Sequence, residues 1–94
     1  MNISASPEAT EFVRAHGGRL FVWAGTACCG GTRFVESSTD SPIHEEGFIR
    51  VDGPSFAVYV REAGGRLPEE LEVRVRGRRR PRVEAFWNGC AFVV

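Results

Sequence analysis

Residues 19–37 read RLFVWAGTACCGGTRFVES and place two strand-forming segments on either side of a run of small residues. The large apolar residues at 19–23 predict a short strand, and the segment from Thr32 to Ser37 predicts a second strand. Between them, the residues from Ala24 to Gly31 have side chains too small to fill a core. We expect this run to be a flexible turn, because its glycines allow sharp bends and close backbone approach.

A helix is predicted on the N-terminal side of this stretch, over residues 6–16. Ser6 is a favourable N-cap residue, and Pro7 suits the first helical position. Gly17 and the glycine after it are typical of a helix end. Four residues recur at the spacing of one helical face: Ala9, Phe12, Val13 and His16. We expect His16 to pack or cap there.

On the C-terminal side, Leu71, Val73 and Val75 alternate with charged residues, which is typical of a half-buried strand. Arg74 and Arg76 are therefore expected to face solvent. Further strand-forming segments follow the same reasoning: Phe48 to Val51, Phe56 to Val60 (a strand or a short buried helix), Val83 to Trp87 and Cys90 to Val94.

These elements together predict one domain over residues 1–94. Its class is α+β, with the N-terminal helix packed on a mostly antiparallel β-sheet sandwich of about six short strands. The apolar fraction, 43%, is that of a globular protein, and no apolar run is long enough to span a membrane. The N-terminus lacks the basic segment of a signal peptide, so we expect a cytoplasmic protein.

The charge is unevenly distributed along the chain. Residues 1–72 hold six arginines and eleven acidic residues, whereas residues 73–94 hold six arginines and one acidic residue. The arginine-rich segment from Arg74 to Arg82 fits either a solvated charged turn or a contact for an acidic partner. A sequence pI near 6.7 argues against nucleic acid as the partner.

Three cysteines are the strongest chemical candidates. An odd number argues against a disulfide framework, so we expect free thiols. Cys90 follows Asn88-Gly89, a hairpin-turn dipeptide. If that turn meets the one containing Cys28 and Cys29, their thiolates suit zinc or an iron–sulfur cluster. In the alternative, Cys90 packs in the core and the paired cysteines are inert.

The order of elements and motifs resembles the A-type iron–sulfur carriers, the HesB-like family. That family has a helix, a strand and then a Gly-Cys-x-Gly turn, which Cys28-Cys29-Gly30-Gly31 matches at Cys29 and Gly31. The segment 47–55, GFIRVDGPS, is similar to a later family motif. Asn88-Gly89-Cys90 falls on the family's C-terminal Cys-Gly-Cys, with Asn88 in place of one cysteine. The resemblance extends from Ser6 to Phe92.

The resemblance implies a HesB-like fold and a non-enzymatic role in assembling or transferring an iron–sulfur cluster. Cys29 and Cys90 would be ligands, Cys28 an auxiliary ligand, and Gly30 and Gly31 the backbone around the cluster. Iron alone or zinc would suit the same thiolates. The implied partners are cluster donors or acceptors and a second copy of the chain, with no nucleic acid and no membrane. Alternatives are a thiol-redox protein and a non-catalytic interaction module with a vestigial metal site.

Overall fold

The computed structural model describes residues 1–28, 32–42, 46–53 and 55–93, with the backbone alone at 26–28. One helix and eight strands occur in these residues. In chain order they are β1 (Asn2–Ala5), α1 (Pro7–Ala15), β2 (Arg19–Cys28), β3 (Thr32–Ser38), β4 (Phe48–Asp52), β5 (Ala57–Arg61), β6 (Glu70–Arg76), β7 (Arg82–Trp87) and β8 (Phe92–Val93).

The strands form two mixed sheets. One has the order β1-β6-β7 and the other the order β4-β5-β2-β3-β8. The pairings of β1 with β6 and of β2 with β5 are parallel, and the remaining pairings are antiparallel. The predicted α+β class is confirmed. The structure differs from the prediction in having more strands and one parallel pairing in each sheet.

Helix α1 begins and ends where the sequence predicts. The Ser6 hydroxyl accepts a hydrogen bond from the Ala9 backbone N–H at 3.1 Å, which satisfies one of the free donors of the first turn. At the other end, the Gly18 N–H donates to the Val13 carbonyl at 2.9 Å, and Gly18 has a φ of +74°. Glycine adopts this left-handed conformation without strain, so the chain can turn directly into β2.

The core lies between α1 and the facing sides of the two sheets. Ala9 and Val13 are the buried positions of the helix. They pack with Phe56, which directly precedes β5, and with apolar residues from both sheets, namely Leu20, Val22, Val58, Val60, Leu71, Val73, Ala85 and Trp87. Burial of this apolar surface is the main stabilising contribution to the fold. Because α1 is only nine residues long, it is stabilised by tertiary packing rather than by its intrinsic helix propensity.

The opposite face of the five-stranded sheet carries aromatic side chains. Phe21 stacks on Tyr59, with ring centroids 5.0 Å apart, and contacts Phe48 edge-on at 5.6 Å. The Arg61 guanidinium lies over Phe48 at 4.5 Å from the ring centroid. This aromatic layer buries Phe21 although the residue points away from the main core. Both faces of β2 are thus covered by side chains.

Strand β6 confirms the predicted alternation. Leu71 and Val73 are buried, and Val75 is half-buried. Arg74 and Arg76 are exposed, as the period of two requires. Strand β1 was not predicted. Its four residues do alternate, with Ile3 and Ala5 packed against the core, but so short a run predicts no strand by itself. They become a strand because their backbone pairs with β6, far away in the sequence.

Candidate functional site

The segment predicted as a flexible turn is largely part of β2. The chain from Ala24 to Cys28 stays in the sheet, where Cys28 pairs with Thr32 of β3. A register shift interrupts the β2–β3 ladder between Ala24 and Ala27. The small residues predict a turn because they pack poorly, but backbone pairing with β3 keeps them extended.

Within this irregular stretch, Gly25 lies under the side chain of Glu36. A Cβ atom at position 25 would lie 2.7 Å from Glu36 Oε2, which is closer than such contacts occur. The same Glu36 oxygen accepts a hydrogen bond from Trp23 Nε1 at 3.0 Å. Because Gly25 has no side chain, the Glu36 carboxylate can extend over it from β3 and reach the Trp23 indole on β2.

The predicted ligand Cys29 and the predicted backbone cradle, Gly30 and Gly31, lie outside the described residues. The structure describes Cys28 by its backbone, at the last position of β2. No group of three potential ligands (histidine, cysteine, aspartate or glutamate) that could hold a metal ion occurs among the described side chains. The shared site of Cys29, Cys90 and Cys28 thus stays a prediction.

Cys90 is an exposed free thiol, so the alternative in which it packs in the core is wrong. Its backbone exchanges two hydrogen bonds with Trp87, at 2.7 and 3.0 Å, across the two-residue turn Asn88-Gly89. Both turn residues have positive φ, +51° and +81°, as the tightest hairpin turns require. The predicted hairpin turn is confirmed.

The thiol opens onto a groove of about 600 Å³ formed by the β5–β6 connection and the C-terminal segment. Arg66 and Glu69 line it from the connection, and Trp87 and Phe92 line it on either side of Cys90. The groove gives a small ligand or a partner's side chain direct access to this sulfur. No local sequence pattern marks the groove, because residues far apart in the chain form it.

The register of the sheet shows how Cys28 and Cys90 lie relative to each other. Ala27, Arg33 and Val93 are level on three neighbouring strands. Cys28 follows Ala27 by one residue, whereas Cys90 precedes Val93 by three residues. Cys28 is therefore level with the start of β3, whereas the carbonyl oxygen of Ala91, the residue after Cys90, accepts a hydrogen bond from the Val35 N–H in the middle of β3, at 2.9 Å.

Asn88, which the resemblance aligns with a cysteine of the HesB-like family, has a structural role. Its side-chain oxygen accepts hydrogen bonds from the backbone N–H groups of Glu69 and Glu70, at 2.8 and 3.0 Å. Its own N–H donates to the Glu70 carbonyl at 2.8 Å. Asn88 therefore joins the β7–β8 turn to the start of β6. A cysteine side chain would lack this acceptor.

The histidines add no second site among the described residues. The His16 ring stacks on Phe12, with ring centroids 4.1 Å apart, and His16 Nδ1 is 2.7 Å from the Phe12 carbonyl oxygen. This packing at the helix end is the role predicted for His16. His44 lies outside the described residues.

A second groove, of about 490 Å³, lies where the two sheets meet beside α1, and the sequence did not predict it. Phe12 lines it from the helix, and Trp23 and Glu36 line it from the five-stranded sheet. Arg82 and Glu84 close it from β7. Its side chains come from four separate elements, so no local motif marks it.

Comparison of the chain with protein-family models, with curated proteins and with solved structures finds no match to any of them. No helix in the described ranges is long and apolar enough to cross a membrane.

Proposed function

We propose that this chain is a HesB-like domain that carries iron, or an iron–sulfur cluster, through its cysteine thiolates. The single observation that carries the proposal is the accessibility of Cys90, which lies on a tight turn and opens onto a groove. An exposed thiol on a rigid turn can reach a metal without unfolding its surroundings. The order of helix, strand, cysteine pair and second strand supports the same family.

The chemistry of the donors fits this cargo. Thiolate sulfur is the preferred ligand of iron–sulfur clusters and also binds zinc, whereas hard cations such as Mg²⁺ prefer oxygen. Cys29 and Cys90 would be the ligands and Cys28 an auxiliary one. Gly30 and Gly31 would let the backbone approach the cargo, because glycine has no side chain to obstruct it.

Two copies of the chain would share the cargo. A cluster commonly needs four ligands, and one copy of the chain has three cysteines. Phe34 and Phe92 support a contact between copies, because they pair across β3 and β8 and are 58% and 46% exposed. Apolar side chains exposed together at a sheet edge are typical of interaction surfaces.

The test is anaerobic reconstitution with iron and sulfide, followed by visible absorbance and iron counting. We expect wild type to hold iron, and Cys29→Ser and Cys90→Ala to lose most of it. Cys28→Ser is the matched control, because it removes the neighbouring thiol and should keep most of the iron. A wild type that holds no iron, or three variants that hold as much as wild type, would contradict the proposal.

The structural role of Asn88 favours a second candidate, a non-catalytic interaction module on the same fold. In that case the role of Asn88 is to form the turn and to bond the start of β6, and the metal site is vestigial. This module would bind its partner equally well with and without the cysteines. Partner binding by a variant in which all three cysteines are serine, without any iron in wild type, would support it.

A further inference from the structure

The turn between β6 and β7 concentrates positive charge at one end of the molecule. Arg78, Arg79 and Arg80 form the turn, and Arg76 and Arg82 are directly opposite each other at the end of the two strands. All five side chains are exposed. We name these five residues the arginine turn. They line a shallow groove of about 730 Å³.

The charges of the arginine turn are poorly compensated. Arg76 has an ion pair with Glu84 at 3.8 Å. Among the described residues, Arg78, Arg79, Arg80 and Arg82 form no ion pair. Like charges directly opposite each other on two strands destabilise the pairing, so Arg76 and Arg82 weaken the fold that contains them. A feature that opposes folding in this way is typical of a functional site.

The backbone of the turn is tightly constrained. Gly77 has a φ of +95°, and a Cβ atom there would lie 2.9 Å from the Arg80 carbonyl oxygen. Arg80 is further restricted because it precedes Pro81. The three arginines of the turn therefore extend from a short connection whose two ends are joined by the pairing of Arg76 with Arg82.

We propose that the arginine turn docks a short acidic segment of another protein. Guanidinium groups bind carboxylates through paired hydrogen bonds, and such a partner would relieve the repulsion described above. The positive surface is one turn long, and the rest of the chain is acidic, with a net charge of −5 over residues 1–72. A short acidic segment fits this footprint better than a long polyanion does.

Nucleic acid fits less well. Residues 76–84 contain no aromatic side chain, so the turn offers no surface on which bases could stack. Strand β7 separates the arginine turn from the Asn88 turn by about 20 Å. A partner on the arginine turn would therefore leave Cys90 accessible, and this proposal is independent of metal binding.

The test measures binding of a fluorescein-labelled oligoglutamate peptide to the full chain by anisotropy, at low and at raised salt. Arg78→Ala/Arg79→Ala/Arg80→Ala removes the three residues of the turn itself. Arg14→Ala/Arg19→Ala/Arg50→Ala is the matched control, because it removes three exposed arginines elsewhere and gives the same net charge. Thermal unfolding establishes that both variants fold. Binding of a short DNA duplex is measured in the same way. Size-exclusion chromatography reports whether the chain associates with itself.

We expect wild type to bind oligoglutamate at low salt and the turn variant to bind about tenfold more weakly, with the control variant within about twofold of wild type. Raised salt should weaken binding, since the contacts are exposed. Equal losses in both variants, or no binding by wild type at low salt, would overturn the proposal. Tighter arginine-dependent binding of the duplex would assign the turn to nucleic acid instead. Arginine-dependent self-association without peptide binding would assign it to a second copy of the chain.

Discussion

The side-chain amide of Asn88 accepts hydrogen bonds from two consecutive backbone N–H groups, while the backbone of the same residue forms the β7–β8 turn. Without this acceptor, the backbone N–H groups of Glu69 and Glu70 would have to donate their hydrogen bonds to water. A positive φ adds a second requirement, because asparagine and glycine tolerate it better than most residues. One residue thus fixes both a turn and the start of a neighbouring strand.

We expect Asn88→Ala to lower the free energy of unfolding by about 1–2 kcal/mol, through two lost hydrogen bonds and a disfavoured φ. Asn88→Asp keeps an acceptor oxygen and tolerates the same φ, so it should lose much less. Urea denaturation of the two variants checks this. Equal stability of Asn88→Ala and wild type would show that the hydrogen bonds contribute nothing.

Asn88→Cys separates the structural role of this position from the metal-binding one. The variant should be less stable than wild type by about 1–2 kcal/mol, because it loses the same acceptor. If the chain carries a cluster, the additional thiolate should also raise the amount of iron retained after desalting. Reduced stability with no iron, in both wild type and variant, would support the interaction module with a vestigial site.

At the scale of an element, β6 gives the clearest test of the fold. Val73 is fully buried in the core, whereas Arg74 is exposed and forms an ion pair with Glu72. Val73→Asp should lower stability by more than about 3 kcal/mol, because it buries an unpaired carboxylate. Arg74→Ala should cost less than about 1 kcal/mol, since exposed ion pairs contribute little. Thermal unfolding of both variants is the measurement, and similar midpoints would contradict the assigned register.

The elements that the sequence predicted well are those with local signals. Ser6 and Pro7 mark the start of α1, and the alternation from Leu71 to Val75 marks β6. Strand β1 and the end of β2 at Cys28 were missed, because both depend on hydrogen bonds to strands elsewhere in the chain. The turn at Asn88 was predicted from its dipeptide. The groove beside Cys90 was not, since its walls come from separate segments.

At the scale of the whole molecule, β8 is the last strand of the five-stranded sheet and carries half of an exposed aromatic pair. If two copies share the cargo through this edge, Phe34→Ser/Phe92→Ser should shift the protein from dimer to monomer and reduce the iron retained. At a protein concentration at which wild type is also monomeric, the unfolding midpoint should change little, because these side chains are exposed in a single copy. Sedimentation analysis with iron counting checks this. An unchanged dimer would place the contact elsewhere.

The parallel pairing of β1 with β6 has a consequence for synthesis of the protein. Asn2 pairs with Glu70, so β1 leaves the ribosome long before its partner exists. Helix α1 can begin to form locally, but the face bearing Ala9 and Val13 stays incompletely covered until β6 arrives. Contacts this distant in sequence slow folding and lengthen the period in which apolar surface is accessible. Translation that stops before residue 70 should therefore yield fragments that chaperones and proteases recognise.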